Sequence, residues 1–138
     1  MKKSAGFSLI ELMITIVIIA IVTSIAIPSY REHVKRTKRS DATAALLRLA
    51  AEQEKFYIAN NTYTDDIADL NIDGTDEGLY TISFANTNLV VTYTATATAK
   101  SGESQADDDA CRSFSIDANG SRTATDSTTT DNTDYCWK

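Results

Sequence analysis

The feature that most constrains this chain is a run of 21 residues, Phe7 to Ile27, in which Glu11 is the only charged side chain. As an α-helix rising about 1.5 Å per residue, the run spans about 30 Å, which is the thickness of a bilayer's hydrocarbon core. A buried core helix of that length needs a far larger protein around it than 138 residues can form. The run therefore predicts a helix that lies in or near a membrane.

Two interpretations of this run follow from its residues alone. A plain transmembrane anchor has to accommodate Glu11, and a charge inside such a helix costs roughly 2.5 to 3.5 kcal/mol on insertion scales. A secretory signal peptide would use Lys2 and Lys3 as its basic start and the small residues at 24–26 as its cleavage site. Against the signal peptide, Glu11 interrupts the apolar region and the helical pattern continues past the supposed cut.

A third interpretation rests on the order of residues in GFSLIELMITIVIIAIVTSIAIPSY, which resembles the N-terminal signature of type IV pilins and related pseudopilins. In that family a membrane peptidase cuts after the glycine and the new N-terminus is methylated. The resemblance implies a leader peptide at 1–6, cleavage between Gly6 and Phe7, and N-methylation of Phe7. It also assigns the family's assembly glutamate to Glu11 and its helix-bending proline to Pro28.

Beyond Pro28 the apolar residues recur near helical spacing as far as Tyr57, with charged residues between them. This pattern predicts that the helix continues as an amphipathic half over 30–60, with one face on a domain and the other facing solvent or neighbouring subunits. Pro28 should kink or loosen the helix rather than end it. Asn60-Asn61 is the expected stop.

Residues 61–138 are expected to form a globular head. A short helical turn is expected at 66–70, followed by strands at 79–85, 89–100 and 111–116. The residues at 86–88 suit a hairpin, and Asn119-Gly120 suits a tight type I′ turn into a short fourth strand. The predicted fold class is α+β, the type IV pilin fold, with the long N-terminal helix packed on a small antiparallel sheet of about four strands.

Two cysteines, Cys111 and Cys136, lie near the end of the chain. Behind an N-terminal membrane or export signal, an even cysteine count predicts a disulfide formed in an oxidising compartment; two buried free thiols are the alternative. A bridge would pin the polar segment DSTTTDNTD, which would otherwise be a disordered loop. The C-terminal loop closed by a disulfide is also similar to the arrangement in pilins.

The sequence offers little for catalysis, because His33 is the only histidine and no phosphate loop, dinucleotide fingerprint or nucleophile elbow is present. We expect no enzyme, no catalytic residue and no cofactor. A weak calcium motif, with Asp69, Asn71 and Asp73 as ligands, has Tyr80 where the bidentate glutamate should be. Solvated turn residues are the favoured interpretation of that motif.

Charge is distributed unevenly along the chain, whose net charge is −6. Residues 31–39 hold five Lys or Arg against one Glu, and this basic run favours contacts with subunits or lipid headgroups. Residues 61–138 hold fourteen acidic against four basic groups, which disfavours broad nonspecific binding to nucleic acid. If the head binds DNA, the candidate contacts are its four cations, Lys100, Arg112, Arg122 and Lys138, which make a weak footprint.

The segment from Ile27 to Thr64 and the final Cys136-Trp137 resemble the small minor pilins, including those similar to DNA-uptake receptor pilins. This resemblance implies a structural, minor subunit of a type IV pilus that serves twitching motility, adhesion or natural transformation. A DNA-binding pilin that acts as receptor in DNA uptake and a pseudopilin of a type II secretion system remain the alternatives.

The resemblance also implies partners and a location. The partners are other pilin subunits, the prepilin peptidase and methyltransferase, an inner-membrane assembly platform and the inner membrane itself, with DNA as a further candidate. The head would be periplasmic before assembly and on the cell surface within the pilus afterwards. The basic run after the apolar helix conflicts with this orientation under the positive-inside rule.

Overall fold

The computed structural model describes residues 7–85 and 88–138. The elements in chain order are α1 (Leu9–Asn60), β1 (Tyr80–Phe84), β2 (Thr94–Ala99), β3 (Ser113–Asp117), β4 (Arg122–Thr125) and α2 (Thr133–Cys136). Two short 3-10 turns, Ile67–Leu70 and Ser104–Asp107, lie in the connections. The chain divides into two compact units, Met1–Val34 and Lys35–Lys138, and each is described by itself below.

In the first unit, the described residues include the apolar part of α1. Every large apolar side chain from Phe7 to Ile27 is more than half exposed, and the segment is long and apolar enough to cross a membrane by length and composition. Its hydroxyl groups bond to the helix's own carbonyls, with Thr15 Oγ1 donating to Glu11 O over 2.7 Å and Ser24 Oγ to Ile21 O over 2.7 Å. This pairing leaves those hydroxyls satisfied in an environment without water. Pro28 lies inside α1 and does not end it, as expected.

The second unit has a core formed by one face of α1 and one face of the sheet. Ala42, Leu46 and Leu49 of α1 are fully buried, as are Tyr93 and Phe114 from the sheet side. The helical spacing of these α1 residues was the basis for the predicted amphipathic half, which is confirmed. The helix ends where expected, because Asn61 takes a left-handed φ of 55° and its N–H bonds to Tyr57 O.

The sheet is a four-stranded antiparallel meander in the order β1-β2-β3-β4. In β2 the sequence TATATA alternates, with Ala95 and Ala97 fully buried and the threonines on the other face. The alternation follows from the two-residue period of a strand, and the small alanines leave room for the aromatic core residues. Long helix, antiparallel sheet and Cys111–Cys136 disulfide together confirm the predicted α+β fold class.

The second strand is shorter than the predicted 89–100. Thr92 N donates to Asn88 O, which folds residues 88–92 into a turn, and Leu89 O is held by the backbone N–H of Tyr63 at 2.8 Å. Val91, which lies within the predicted strand, is 65% exposed. The predicted strand is therefore too long at its start. The carbonyl of Leu89 bonds to the loop after α1 instead of to β1. The predicted hairpin at 86–88 falls partly outside the described residues.

The turn between β3 and β4 differs from the predicted type I′ turn. A type I′ turn needs positive φ at both central residues, and here only Gly120 has it, at 77°. Gly120 N donates to Asp117 O and Asp117 N donates to Ser121 O, which closes a three-residue loop. The Asp117 carboxylate accepts from Asn119 N and Ser121 N, both at 2.9 Å, and these bonds hold the wider turn.

A disulfide and a set of side-chain hydrogen bonds hold the C-terminal segment in place. The disulfide joins Cys111 to Cys136, whose Cα atoms are 5.8 Å apart, as predicted. Within the loop, the Asp126 carboxylate accepts from Thr128 N, Thr128 Oγ1 and Thr130 N, and these bonds hold the pKa of Asp126 below its ordinary value. The segment DSTTTDNTD is thus held by its own side-chain hydrogen bonds as well as by the disulfide bridge.

We predict that replacing both cysteines, Cys111→Ser with Cys136→Ser, lowers the free energy of unfolding by roughly 3 to 4 kcal/mol, because the unfolded chain regains the entropy of the open loop. The measurement is urea denaturation of the full chain in detergent micelles. Wild-type protein under reducing conditions is the control and should match the variant. Equal stability of oxidised wild type and variant would contradict the prediction.

Candidate functional site

A groove of about 490 Å³ lies on the second unit, between α1 and the C-terminal residues. We call it the cationic groove. Its lining comprises four basic side chains, two aromatic rings, two hydroxyl residues, one leucine and one half-cystine, namely Arg36, Arg39, Arg122, Lys138, Tyr135, Trp137, Ser40, Thr43, Leu47 and Cys136. None of these described lining residues has a carboxylate side chain, although the chain as a whole has a net charge of −6.

The α1 side of the groove is one stripe of the helix. Arg36, Ser40, Thr43 and Leu47 are spaced by four, three and four residues, which places them on one face. Leu46 and Leu49 of the same helix segment point into the core. Because Ser40 and Thr43 are short, this stripe allows a ligand to approach the helix backbone closely.

Arg39 joins the helix to the rest of the groove. Its Nε and Nη2 donate to the two carboxylate oxygens of Asp108 at 2.6 and 2.9 Å, and its side chain is 5% exposed. Its Cζ lies 4.9 Å from the centre of the Tyr135 ring. Burial lowers the pKa of Arg39, but Asp108 and Tyr135 outweigh burial and raise the pKa above its ordinary value. Arg39 therefore stays charged, is neutralised by Asp108, and fixes the position of Tyr135.

The C-terminal wall of the groove is held by several contacts. Trp137 Nε1 donates to Thr123 O at 2.8 Å, and its ring packs edge-on against Phe114 with centroids 5.9 Å apart. The Arg122 guanidinium lies 5.4 Å from the centre of the Trp137 ring. The neighbouring Cys136 is tied to Cys111. The wall that carries Tyr135, Trp137 and Lys138 is therefore anchored to the sheet.

The structure brings together only part of the predicted DNA-contact set. Arg122 and Lys138 both line the cationic groove. Lys100 does not line it, and its Nζ lies 3.5 Å from Gly78 O. Arg112 is half-buried and donates to Ala106 O, so this guanidinium supports the loop before β3.

Sequence reasoning missed Arg36 and Arg39 as members of this set, because they were grouped with a basic run spread over all faces of the helix. The neighbouring lysines bind elsewhere. Lys35 Nζ donates to Asp107 O and Lys38 Nζ donates to Ser104 Oγ, and these two bonds hold the 3-10 turn at 104–107. The one usable signal was spacing, since residues 36 and 39 share a face with Ser40 and Thr43.

None of the remaining candidate site residues that the structure describes lines the groove. Phe7 and Glu11 are exposed at the start of α1, and Gly6 lies outside the described residues. In the calcium motif, Asp69 accepts a hydrogen bond from Thr64 at 2.8 Å, and Asn71 ends a 3-10 turn. Within residues 7–85 and 88–138, no group of three or more His, Cys, Asp or Glu side chains is arranged to hold a metal ion.

Two family models match this chain. Residues 1–27 match the prokaryotic N-terminal methylation motif. Residues 28–115 match the model described as "Type IV minor pilin ComP, DNA uptake sequence receptor". Because this second match covers more than half of the chain, the protein belongs to the type IV minor pilin family that the model describes. The C-terminal wall of the cationic groove lies beyond the matched residues.

Curated relatives are fimbrial, pilin or pilus proteins by name. The chain is 38% identical over 101 residues to the fimbrial protein EcpC of Eikenella corrodens, covering 67% of this chain and 63% of that protein. It is 40% identical to the type IV major pilin protein PilA of Myxococcus xanthus, covering 46% of this chain and 29% of that protein. It is 41% identical to the wide pilus major component PilA4 of Thermus thermophilus, covering 51% and 53%. The chain thus spans less than two thirds of the length of these relatives.

Among solved structures, a type IV pilin from Shewanella oneidensis is 24% identical to the chain. The match covers 64% of this chain and 89% of that chain, with a TM-score of 0.49.

We predict that Asp108→Ala destabilises the head by about 3 to 5 kcal/mol, because it leaves the buried Arg39 guanidinium without its counter-charge. The matched control is Asp76→Ala, which breaks an ion pair with Arg48 of similar length, 2.7 Å, but with both partners exposed. That change should cost about 1 kcal/mol or less. Urea denaturation of the full chain measures both, and equal losses would contradict the prediction.

Proposed function

We propose that this chain is a minor subunit of a type IV pilus, made as a precursor that is cleaved between Gly6 and Phe7 and methylated on Phe7. The observation that carries the proposal is the apolar surface of α1 from Phe7 to Ile27, which is exposed throughout and follows a basic leader in a segment that matches the methylation motif. A surface of this kind needs either lipid or other copies of the same helix around it.

The apolar helix has two suitable environments. In the bilayer it anchors the subunit, and in a filament it packs against the same segment of other subunits. Lipid tails and packed apolar side chains are similarly apolar, so the transfer between them costs little hydrophobic free energy. Extraction from the membrane still requires an assembly platform and its motor, and the precursor requires the prepilin peptidase and methyltransferase. The head would face the periplasm before assembly and the exterior afterwards.

Glu11 has a defined role in this proposal. Cleavage creates a cationic amine on Phe7, four residues from Glu11 and therefore on the same helix face. The carboxylate pairs with its own amine in the bilayer and with the amine of a neighbouring subunit in the filament. Either pairing lowers the cost of a buried charge, and the second fixes the axial register between subunits.

We predict that Glu11→Gln leaves cleavage at Gly6-Phe7 intact and strongly reduces incorporation into filaments. The matched control is Thr15→Val, one turn further along, whose hydroxyl donates only to the Glu11 carbonyl of its own helix. Quantitative immunoblotting of sheared filaments and of membranes measures incorporation. Normal incorporation of Glu11→Gln would refute the register role.

Mass spectrometry of the mature chain tests the precursor proposal. The expected N-terminus is N-methylated Phe7. Any other N-terminus would overturn the proposed processing, and absence of the chain from sheared filaments would overturn the pilus assignment. The pseudopilin alternative gains no observation of its own from the described residues; loss of protein secretion with normal pili in a deletion strain would favour it.

A second function, DNA binding, is favoured by the cationic groove. Three cationic side chains, Arg36, Arg122 and Lys138, line it without a carboxylate partner among the described lining residues, and Arg39 is already paired. The family model that matches residues 28–115 describes a DNA uptake sequence receptor. A DNA duplex is too wide to enter the groove, so we infer that one strand's phosphates lie along it, against Ser40 and Thr43.

We predict that Arg36→Gln with Lys138→Gln weakens binding of all duplexes evenly. Each lost phosphate contact should reduce the slope of log affinity against log salt by about 0.9. The matched control is Lys100→Gln, an exposed cation of the same head outside the groove. Fluorescence anisotropy with the full chain in micelles of neutral detergent measures both. Equal effects of the two changes would exclude the groove, and no salt-sensitive binding by wild type would end the DNA proposal.

A further inference from the structure

Arg122 lies on the border between the cationic groove and a second concavity. This second concavity has a volume of about 430 Å³ and is lined by Arg122, Thr123, Asp131, Asn132, Thr133 and Asp134. We call it the polar hollow. The same guanidinium therefore borders three other cationic side chains on one side and two carboxylates on the other.

Most side chains of the polar hollow are already engaged. Asp131 Oδ1 accepts from Thr133 N at 3.0 Å and from Thr133 Oγ1 at 2.6 Å. Asn132 Nδ2 donates to Ala110 O at 3.0 Å, and Thr133 Oγ1 accepts from Ala124 N at 2.8 Å. These bonds build the start of α2 and attach it to β4, so they hold the frame of the hollow in place.

Two charged side chains of the polar hollow remain available. Arg122 and Asp134 are both exposed, and neither forms an ion pair or a side-chain hydrogen bond with any residue that the structure describes. Arg122 is instead oriented by the Trp137 ring, 5.4 Å from its Cζ, and Trp137 is itself fixed by Thr123 and Phe114. An oriented guanidinium and a free carboxylate thus line one hollow without neutralising each other.

A DNA phosphate alone does not account for this pair, because Asp134 and Asp131 would repel it. The major-groove edge of a G·C base pair does account for both groups. Guanine presents the acceptors O6 and N7, which a guanidinium binds with two parallel hydrogen bonds, and cytosine presents the N4 amino donor, which a carboxylate accepts. The two features lie on the same edge of one base pair, and Arg122 and Asp134 line the same hollow.

We propose that Arg122 and Asp134 read a G·C base pair in the major groove of DNA whose backbone is held by the cationic groove. This inference rests on the proposed DNA binding and adds to it a division of tasks. Arg36 and Lys138 contact phosphates independently of the DNA sequence. Arg122 and Asp134 distinguish a G·C pair from other base pairs. Asp134 also disfavours binding of a thymine in place of the cytosine, or of a phosphate, because their oxygens offer the carboxylate no hydrogen-bond donor.

The test uses the full chain in neutral detergent micelles and a duplex library with a randomised centre. Wild type should enrich duplexes that share a fixed G·C pair. Replacing that pair with A·T should weaken binding roughly tenfold, as expected for one lost bidentate contact. Arg122→Lys, which keeps the charge but loses the planar fork, should remove this preference and retain the binding of unselected duplexes. Asp134→Asn should raise affinity for unselected duplexes and reduce the preference.

The matched control is Arg36→Lys, which should leave the preference unchanged because a phosphate contact tolerates either cation. Retention of the full G·C preference by Arg122→Lys, or equal binding of all duplexes by wild type, would overturn the base-reading proposal while leaving DNA binding in place. Absence of any DNA binding by wild type would overturn the proposed DNA function together with this inference.

Discussion

The structure depends on the packing of one face of α1 against the sheet. The head is small, so a single helix face has to provide much of its core, and Ala42, Leu46 and Leu49 provide it by being fully buried. Their spacing leaves a neighbouring stripe of the helix, from Arg36 to Leu47, for the cationic groove. The same helix carries the exposed apolar residues of the first unit. One element therefore specifies the core, the floor of the groove and the apolar surface.

The cations of the second unit include some that form structural contacts and some that line the groove. Four cations of α1 contribute to local structure: Arg39 pairs with Asp108, Arg48 pairs with Asp76 at the surface, and Lys35 and Lys38 hold the 3-10 turn at 104–107. Of the remaining cations, Arg36, Arg122 and Lys138 line one groove. At physiological salt, interactions between exposed charges are largely screened beyond about 8 Å. A local cationic groove can thus bind an anion although the whole chain is acidic, at the cost of weak long-range attraction.

The long helix, its buried face and the alternation in TATATA could be predicted from the sequence because each depends on the local period of one element. The start of β2 could not, since Leu89 and Val91 continue the strand pattern and only the bond from Tyr63 to Leu89 O ends it. The groove could not be predicted from the sequence either, because Arg36 and Arg122 are far apart in sequence and line one groove only in the folded chain. The Cys111–Cys136 pairing could be predicted because it needed only two cysteines and an oxidising compartment.

The C-terminal loop and the groove wall are separable parts of one segment. Residues 126–131 are closed off by the bridge between Thr125 and Asp131 and by bonds to the Asp126 carboxylate. The wall that follows is fixed separately, through Thr133 to Ala124, the disulfide at Cys136, and Trp137 to Thr123. Changes at the exposed threonines of the loop can therefore alter the surface of the subunit without moving Tyr135, Trp137 or Lys138. The C-terminal wall of the groove is therefore held independently of the exposed threonines of the neighbouring loop.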